Sequence, residues 1–105
     1  MTDVIARPSR PILPTESVEI ASLGGAVIVR GLTLSQRMQI AKVDAENGVA
    51  MLDILAVSVL ANDGDPLFSR QDWDIWASLH IEDAVMLAGI ARRLSGLDME
   101  EASRD

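Results

Sequence analysis

The sequence predicts a mainly α fold: about four helices in a small bundle, with an N-terminal β-hairpin packed against them. Three observations carry that prediction. Four segments place apolar residues at helical spacing between recognisable start and stop signals. One earlier segment alternates polar and apolar residues on either side of Gly24-Gly25. Between the second and third helical segments, the stretch Leu60-Ala-Asn-Asp-Gly-Asp-Pro-Leu-Phe-Ser-Arg-Gln-Asp72 sets out a tight polar turn, an apolar plug and a new helix start.

The hairpin is expected over residues 17–30. Ser17 to Ser22 and Ala26 to Arg30 form its strands, and Gly24-Gly25 supplies the positive φ that a tight turn needs. Two strands alone are marginal, so the hairpin must pack on the helices or add to a neighbour's sheet. The first helix is expected over about 34–46, capped by Thr33 or Ser35. It carries an apolar stripe of Leu34, Met38, Ile40 or Ala41, and Ala45, and Asn47-Gly48 stops it.

The second helix, about 49–61, is apolar on nearly every side, with Asp53 and Ser58 as its breaks. Such a helix is either the buried centre of the bundle or carries two interfaces. At the corner that follows, Leu67 and Phe68 precede Ser69 as a hydrophobic staple would, and Ser69 with Asp72 forms a variant capping box. The third helix spans about 70–78, with Trp73 and Trp76 on a common side. They either pack over the bundle or present an aromatic anchor to a partner. The fourth spans about 81–95, with Ile81, Ala84, Val85, Leu87, Ala88, Ile90, Ala91 and Leu94 as its apolar face. Gly96 is its C-terminal stop, with Leu97 as the accompanying apolar contact.

At 105 residues the chain forms one domain, expected over 17–97. Residues 1–16 are an extended arm, where Pro8, Pro11 and Pro14 favour polyproline II over helix; they also match the spacing of a proline ligand. Residues 98–105 are an acidic tail.

Charge bounds the partners. Nine basic residues face sixteen acidic ones, for a net charge of −7. Phosphate backbones and anionic membrane surfaces select the opposite sign, so neither nucleic acid nor membrane is an expected partner. The same charge argues against a DNA-binding use of the helical corner. With no cysteine there is neither a disulfide framework nor a thiolate site. No apolar run reaches the roughly 18 residues of a membrane span. A soluble protein of the cytoplasm is expected.

No constellation carries chemistry. His80 is the sole histidine and is expected to join two helices. As a catalytic base it would need a nucleophile and an orienting acid. Asp63-Gly-Asp65 begins like a calcium loop, but Pro66, Leu67 and Phe68 break the pattern, leaving a turn. Gly24-Gly25 lacks the Gly-Lys-Ser/Thr of a phosphate loop. No catalytic, cofactor or metal residue is expected, and the protein is read as not an enzyme. The residues expected to bind a partner are Leu67, Phe68, Trp73 and Trp76.

Four blocks stand in order: Val18-Glu-Ile…Gly25…Val27-Ile-Val-Arg-Gly-Leu-Thr33, the apolar helix ending Val57 to Leu60, Asn62-Asp-Gly-Asp-Pro-Leu-Phe-Ser69, and Arg93-Leu-Ser-Gly-Leu97 with an acidic follow-on. This ordered set, covering about residues 17–102, resembles the small tail assembly chaperones of long-tailed bacteriophages. The resemblance implies a non-enzymatic role in the bacterial host's cytoplasm. Such proteins bind the tape measure protein, keep it soluble, help recruit tail tube subunits and are absent from the finished tail. It also implies self-association. A longer form often arises in that family by programmed frameshifting, so a chain stopping at Asp105 is expected to be the short form. A structural virion component that stays in its complex is the alternative.

Overall fold

The computed structural model describes residues 4, 6–7, 9–47 and 50–96. Among them are four α-helices and one three-stranded antiparallel sheet. Strand β1 (Thr15–Ile20) pairs with β2 (Gly25–Arg30) in a register running from Ile20 opposite Gly25 to Thr15 opposite Arg30. The link is a single 3-10 turn, Ala21–Leu23, closed by Gly24 at φ 85°, whose N–H donates to the Ala21 carbonyl at 3.0 Å. Alternation sends Ile20, Val27 and Val29 into the core. The pairing begins two residues before the expected Ser17, and the arm leads straight into it: the Gly31 N–H donates to the Pro14 carbonyl at 2.9 Å.

Gly31 is there for space. A Cβ on it would lie 3.0 Å from the Leu94 carbonyl oxygen, so the strand end and the end of α4 (Ile81–Leu94) touch backbone to backbone. Ser95 completes this joint. Its hydroxyl accepts from the Leu32 N–H at 2.7 Å and donates to the Ala91 carbonyl at 2.6 Å. Two surface contacts then lay the hairpin along α4. Arg93 pairs with Glu16 at 2.8 Å at one end, and Ser22 donates to Asp83 at 2.7 Å at the other.

Helix α1 (Leu34–Asn47) starts with a complete capping box. The Gln36 N–H donates to the Thr33 hydroxyl at 3.1 Å, and the Thr33 N–H donates to the Gln36 side-chain carbonyl at 2.9 Å. Its expected inward stripe is corrected. Leu34 and Met38 are about two thirds exposed, at 69% and 66%, and Ile40 is buried instead. Gln36, Ile40 and Val43, spaced four and three apart, form the covered side. The helix reaches the body mainly through α2, which has room for that one side only. Ala45 as a stripe member and Gly48 as the stop lie outside the described side chains and residues, as do Leu97 and the tail.

Helix α2 (Ala50–Ser58) is the centre of the molecule. It packs against α1, α3 (Arg70–Leu79), α4 and β2, burying Ala50, Leu52, Ile54, Leu55 and Ser58. Its expected end at Ala61 is corrected. After Ser58 the chain becomes β3 (Val59–Leu60), which pairs with Val29 and Ile28 of β2. Val29 is fully buried, and pairing with β3 gives the backbone groups at that edge of β2 hydrogen-bond partners. The architecture is therefore helices on a small sheet, not a hairpin beside a bundle.

The corner after β3 folds as the sequence predicts. The Asp63 carboxylate accepts from the Asp65 N–H at 3.0 Å, Gly64 takes φ 89°, and the Ala61 N–H donates to the Asp65 carbonyl at 2.8 Å. The Leu67 N–H then returns to the Val59 carbonyl at 3.0 Å. Ser69 caps α3 by accepting from the Asp72 N–H at 3.1 Å. Arg70 reaches back to Asp53 at 3.1 Å and fixes α3 to α2. His80 alone separates α3 from α4, and Gly96 follows α4 at φ 78°.

Two expectations follow for the core. Leu55→Asp places a charge at a fully buried site and should yield an unfolded chain by circular dichroism. Ser58 is fully buried and its hydroxyl has no hydrogen-bond partner among the described residues. Ser58→Ala should therefore raise stability, by roughly 1 kcal/mol in urea denaturation, because it removes an orphaned polar atom.

Candidate protein-docking surface on the third and fourth helices

The aromatic residues form a ladder. Phe68 meets Trp73 edge to face at 4.9 Å, Trp73 meets Trp76 at 5.3 Å, and Trp76 lies 5.1 Å from the His80 ring. The ladder runs from the corner, through the inner side of α3, to the junction with α4.

Its burial settles the sequence-based choice between packing and presentation. Trp73 has no exposed surface and Trp76 only 9%. In this chain both tryptophans are part of the core, packed between α3 and its neighbours α2 and α4, so neither stands out as an exposed anchor. Leu67 and Phe68 are partly buried against the same core. Of the four expected binding residues, all are brought together, and none stands clear as an anchor.

What α3 and α4 turn outward is a different set. Ile75 and Leu79, one turn apart on α3, are 61% and 74% exposed; Ile81 and Val85, one turn apart on α4, are 53% and 55% exposed. Leu79 and Ile81 flank His80 across an open groove of about 330 Å3, also lined by Glu82 and Asp83. Leu79 and Ile81 thus line the groove at the α3–α4 junction, and Ile75 and Val85 each lie one turn further from it on their helices; we call these four the track. Ile81 and Val85 had been expected on the inward face of the fourth helix. The structure gives that face to Ala84, Leu87, Ala88 and Ala91. Three of these are alanines, which let α4 approach α2 closely; the larger branched residues face away.

The electrostatics of the track are one-sided. Between Arg70 and Arg92 the sequence holds Asp72, Asp74, Glu82 and Asp83 and no lysine or arginine. Gly89 extends the track by one further turn beyond Val85. It is exposed, sits inside the helix, and a Cβ added there would meet nothing within 4 Å. Its absence of a side chain costs the helix about 1 kcal/mol relative to alanine and relieves no internal crowding. The sequence signal that could have located this surface was the helical angle. Val85 and Gly89 fall on the side away from Ala84, Leu87, Ala88 and Ala91, and Ile81 falls at the border of that buried face.

Chemistry of other kinds finds no assembled groups. Among the described residues no three His, Asp or Glu side chains come together to hold a metal ion. His80 stacks on Trp76 rather than meeting a nucleophile. None of the described helices is long and apolar enough to cross a membrane. No protein-family model, curated protein or solved structure matches this chain.

The division between ladder and track is measurable. Trp73→Ala should cost about 3–5 kcal/mol in denaturant unfolding, because it empties a fully enclosed site. Leu79→Ser should shift stability by no more than about 0.5 kcal/mol, since the side chain is mostly in water already.

Proposed function

We propose that this protein is a tail assembly chaperone of a long-tailed bacteriophage. It binds the tape measure protein in the host cytoplasm, keeps it soluble, helps recruit tail tube subunits, and departs before the tail is complete. The ordered sequence blocks that resemble this family supply the identity of the client.

One observation of the fold supports the reading above others: a well-packed acidic body exposes Ile75, Leu79, Ile81 and Val85 on the two helices that meet at His80. Large apolar side chains clustered on a surface mark a site for another macromolecule. A holding protein needs such a surface together with a charge that keeps it from aggregating nonspecifically, and net −7 serves that end. Self-association while coating the client belongs to the same proposal.

Coexpression provides the test. The tape measure protein of the same phage should partition to the insoluble fraction when expressed alone and to the soluble fraction, in complex, when expressed with this chain. Purified mature tails should contain none of it. A tape measure protein that stays insoluble in its presence would overturn the proposal, and recovery of the chain from finished tails would replace it with a structural virion component.

A further inference from the structure

The track on α3 and α4 has a chemistry that narrows what it accepts. We infer that its occupant is an amphipathic helix of the client, with an apolar stripe flanked by lysines or arginines. This assignment of partner chemistry rests on the chaperone reading above.

Four observations converge. Leu79 and Ile81 line the groove, and Ile75 and Val85 follow them one helical turn away on α3 and α4, the spacing that an apolar helix face engages at successive turns. The flanks are acidic throughout, with Asp72, Asp74 and Glu82 and no cation from residue 71 to 91. Of the two cations bounding that span, Arg70 is engaged with Asp53, and Arg92 stands beyond Gly89 near the end of α4, so the acidic border belongs to the part of the surface from Ile75 to Val85. Charge complementarity therefore selects a basic partner and rejects an acidic one. Gly89, finally, lowers one wall of the surface where nothing within this fold requires it. A small residue there lets a docked helix come close to the α4 backbone. A second copy of this chain is the weaker fit, because it brings a net charge of −7 against an already acidic face.

Isotope-labelled full-length protein can be titrated with a synthetic amphipathic peptide of about 18 residues, five helical turns, carrying leucines on one face and lysines on the others. A twin with glutamate in place of lysine serves as the control. The lysine peptide should bind saturably, with amide shifts centred on Ile75, Leu79, Ile81, Val85 and Gly89, and its affinity should fall as salt rises. The glutamate twin should bind at least about tenfold more weakly. Leu79→Ser combined with Val85→Ser should lose the lysine peptide while keeping its melting temperature. Gly89→Ala should do something less usual: melt at a higher temperature, through better helix propensity, yet bind the peptide about tenfold more weakly.

Equal binding of the twins would overturn the inference. So would shifts centred on another surface, or unimpaired binding by the double variant or by Gly89→Ala. Concentration-dependent shifts at the same residues without peptide would give the surface to a second copy and overturn it too. The two proposals separate in the coexpression assay. If the double variant still holds the tape measure protein in solution, the surface is wrong and the function stands. If the wild-type chain binds the lysine peptide but leaves the tape measure protein insoluble, the surface stands and the function falls.

Discussion

A helix without a polar face can persist in water only if something covers every side of it. Helix α2 is that helix, and the rest of the molecule is arranged around its requirement. Covering it takes α1, α3, α4 and β2 together. Because α2 is only nine residues long, each neighbour must come close to reach it. Helix α4 meets it with alanines, and at the strand-to-helix joint Gly31 leaves room for the Leu94 carbonyl where a side chain would go. The same constraint explains β3. Once α2 is central, the chain leaving it runs beside β2, and two residues of sheet satisfy backbone groups that burial would otherwise orphan.

That arrangement separates stability from recognition on the same two helices. The inner sides of α3 and α4 hold Trp73, Trp76, Leu87 and the alanines, and they supply half of the buried apolar residues outside α2 among the described residues. The outer sides contribute little to folding and so are free to carry apolar residues for another purpose. Scattered exposed apolar residues need no explanation in a small protein. Four on the two helices that meet at one junction, with Asp72, Asp74, Glu82 and Asp83 as the charged residues between 71 and 91, form a patterned set. The aromatic ladder joins the two sides physically. It ends at His80, whose ring rests on Trp76 and whose neighbours line the groove, so the shape of the groove is set by the core beneath it.

Features decided by neighbouring residues were legible in the sequence. The Thr33 and Ser69 caps, the Asp63-Gly64-Asp65 turn, the Gly24 turn and the Gly96 stop all appear where local chemistry put them, because each depends on a few adjacent backbone groups. Features decided at a distance were not. Val59 and Leu60 continue the apolar pattern of α2 and are equally good strand residues; only the presence of β2 converts them. Leu34 and Met38 make a convincing helical stripe, yet the side of α1 that packs is the one carrying Ile40. For Trp73 and Trp76 the spacing showed that they share a side of α3, and nothing local could say whether that side faced inward.

Three of the four blocks that carry the family resemblance reach joints, and the other, ending Val57 to Leu60, is the buried end of α2 with β3. Arg30-Gly31-Leu32-Thr33 is the contact of strand end, helix cap and the end of α4; Asn62 to Ser69 is the corner and the α3 cap; Arg93 to Ser95 clasps α4 to the hairpin. None of Ile75, Leu79, Ile81, Val85 or Gly89 falls in any of them. A scaffold defined by its joints can hold its geometry while the residues between them change. If the joints specify the class of protein and the exposed track specifies the client, then likeness in the first says little about the second. Recognition has to be derived from the surface that this chain itself presents, and here that surface is apolar along its crest and acidic at its edges.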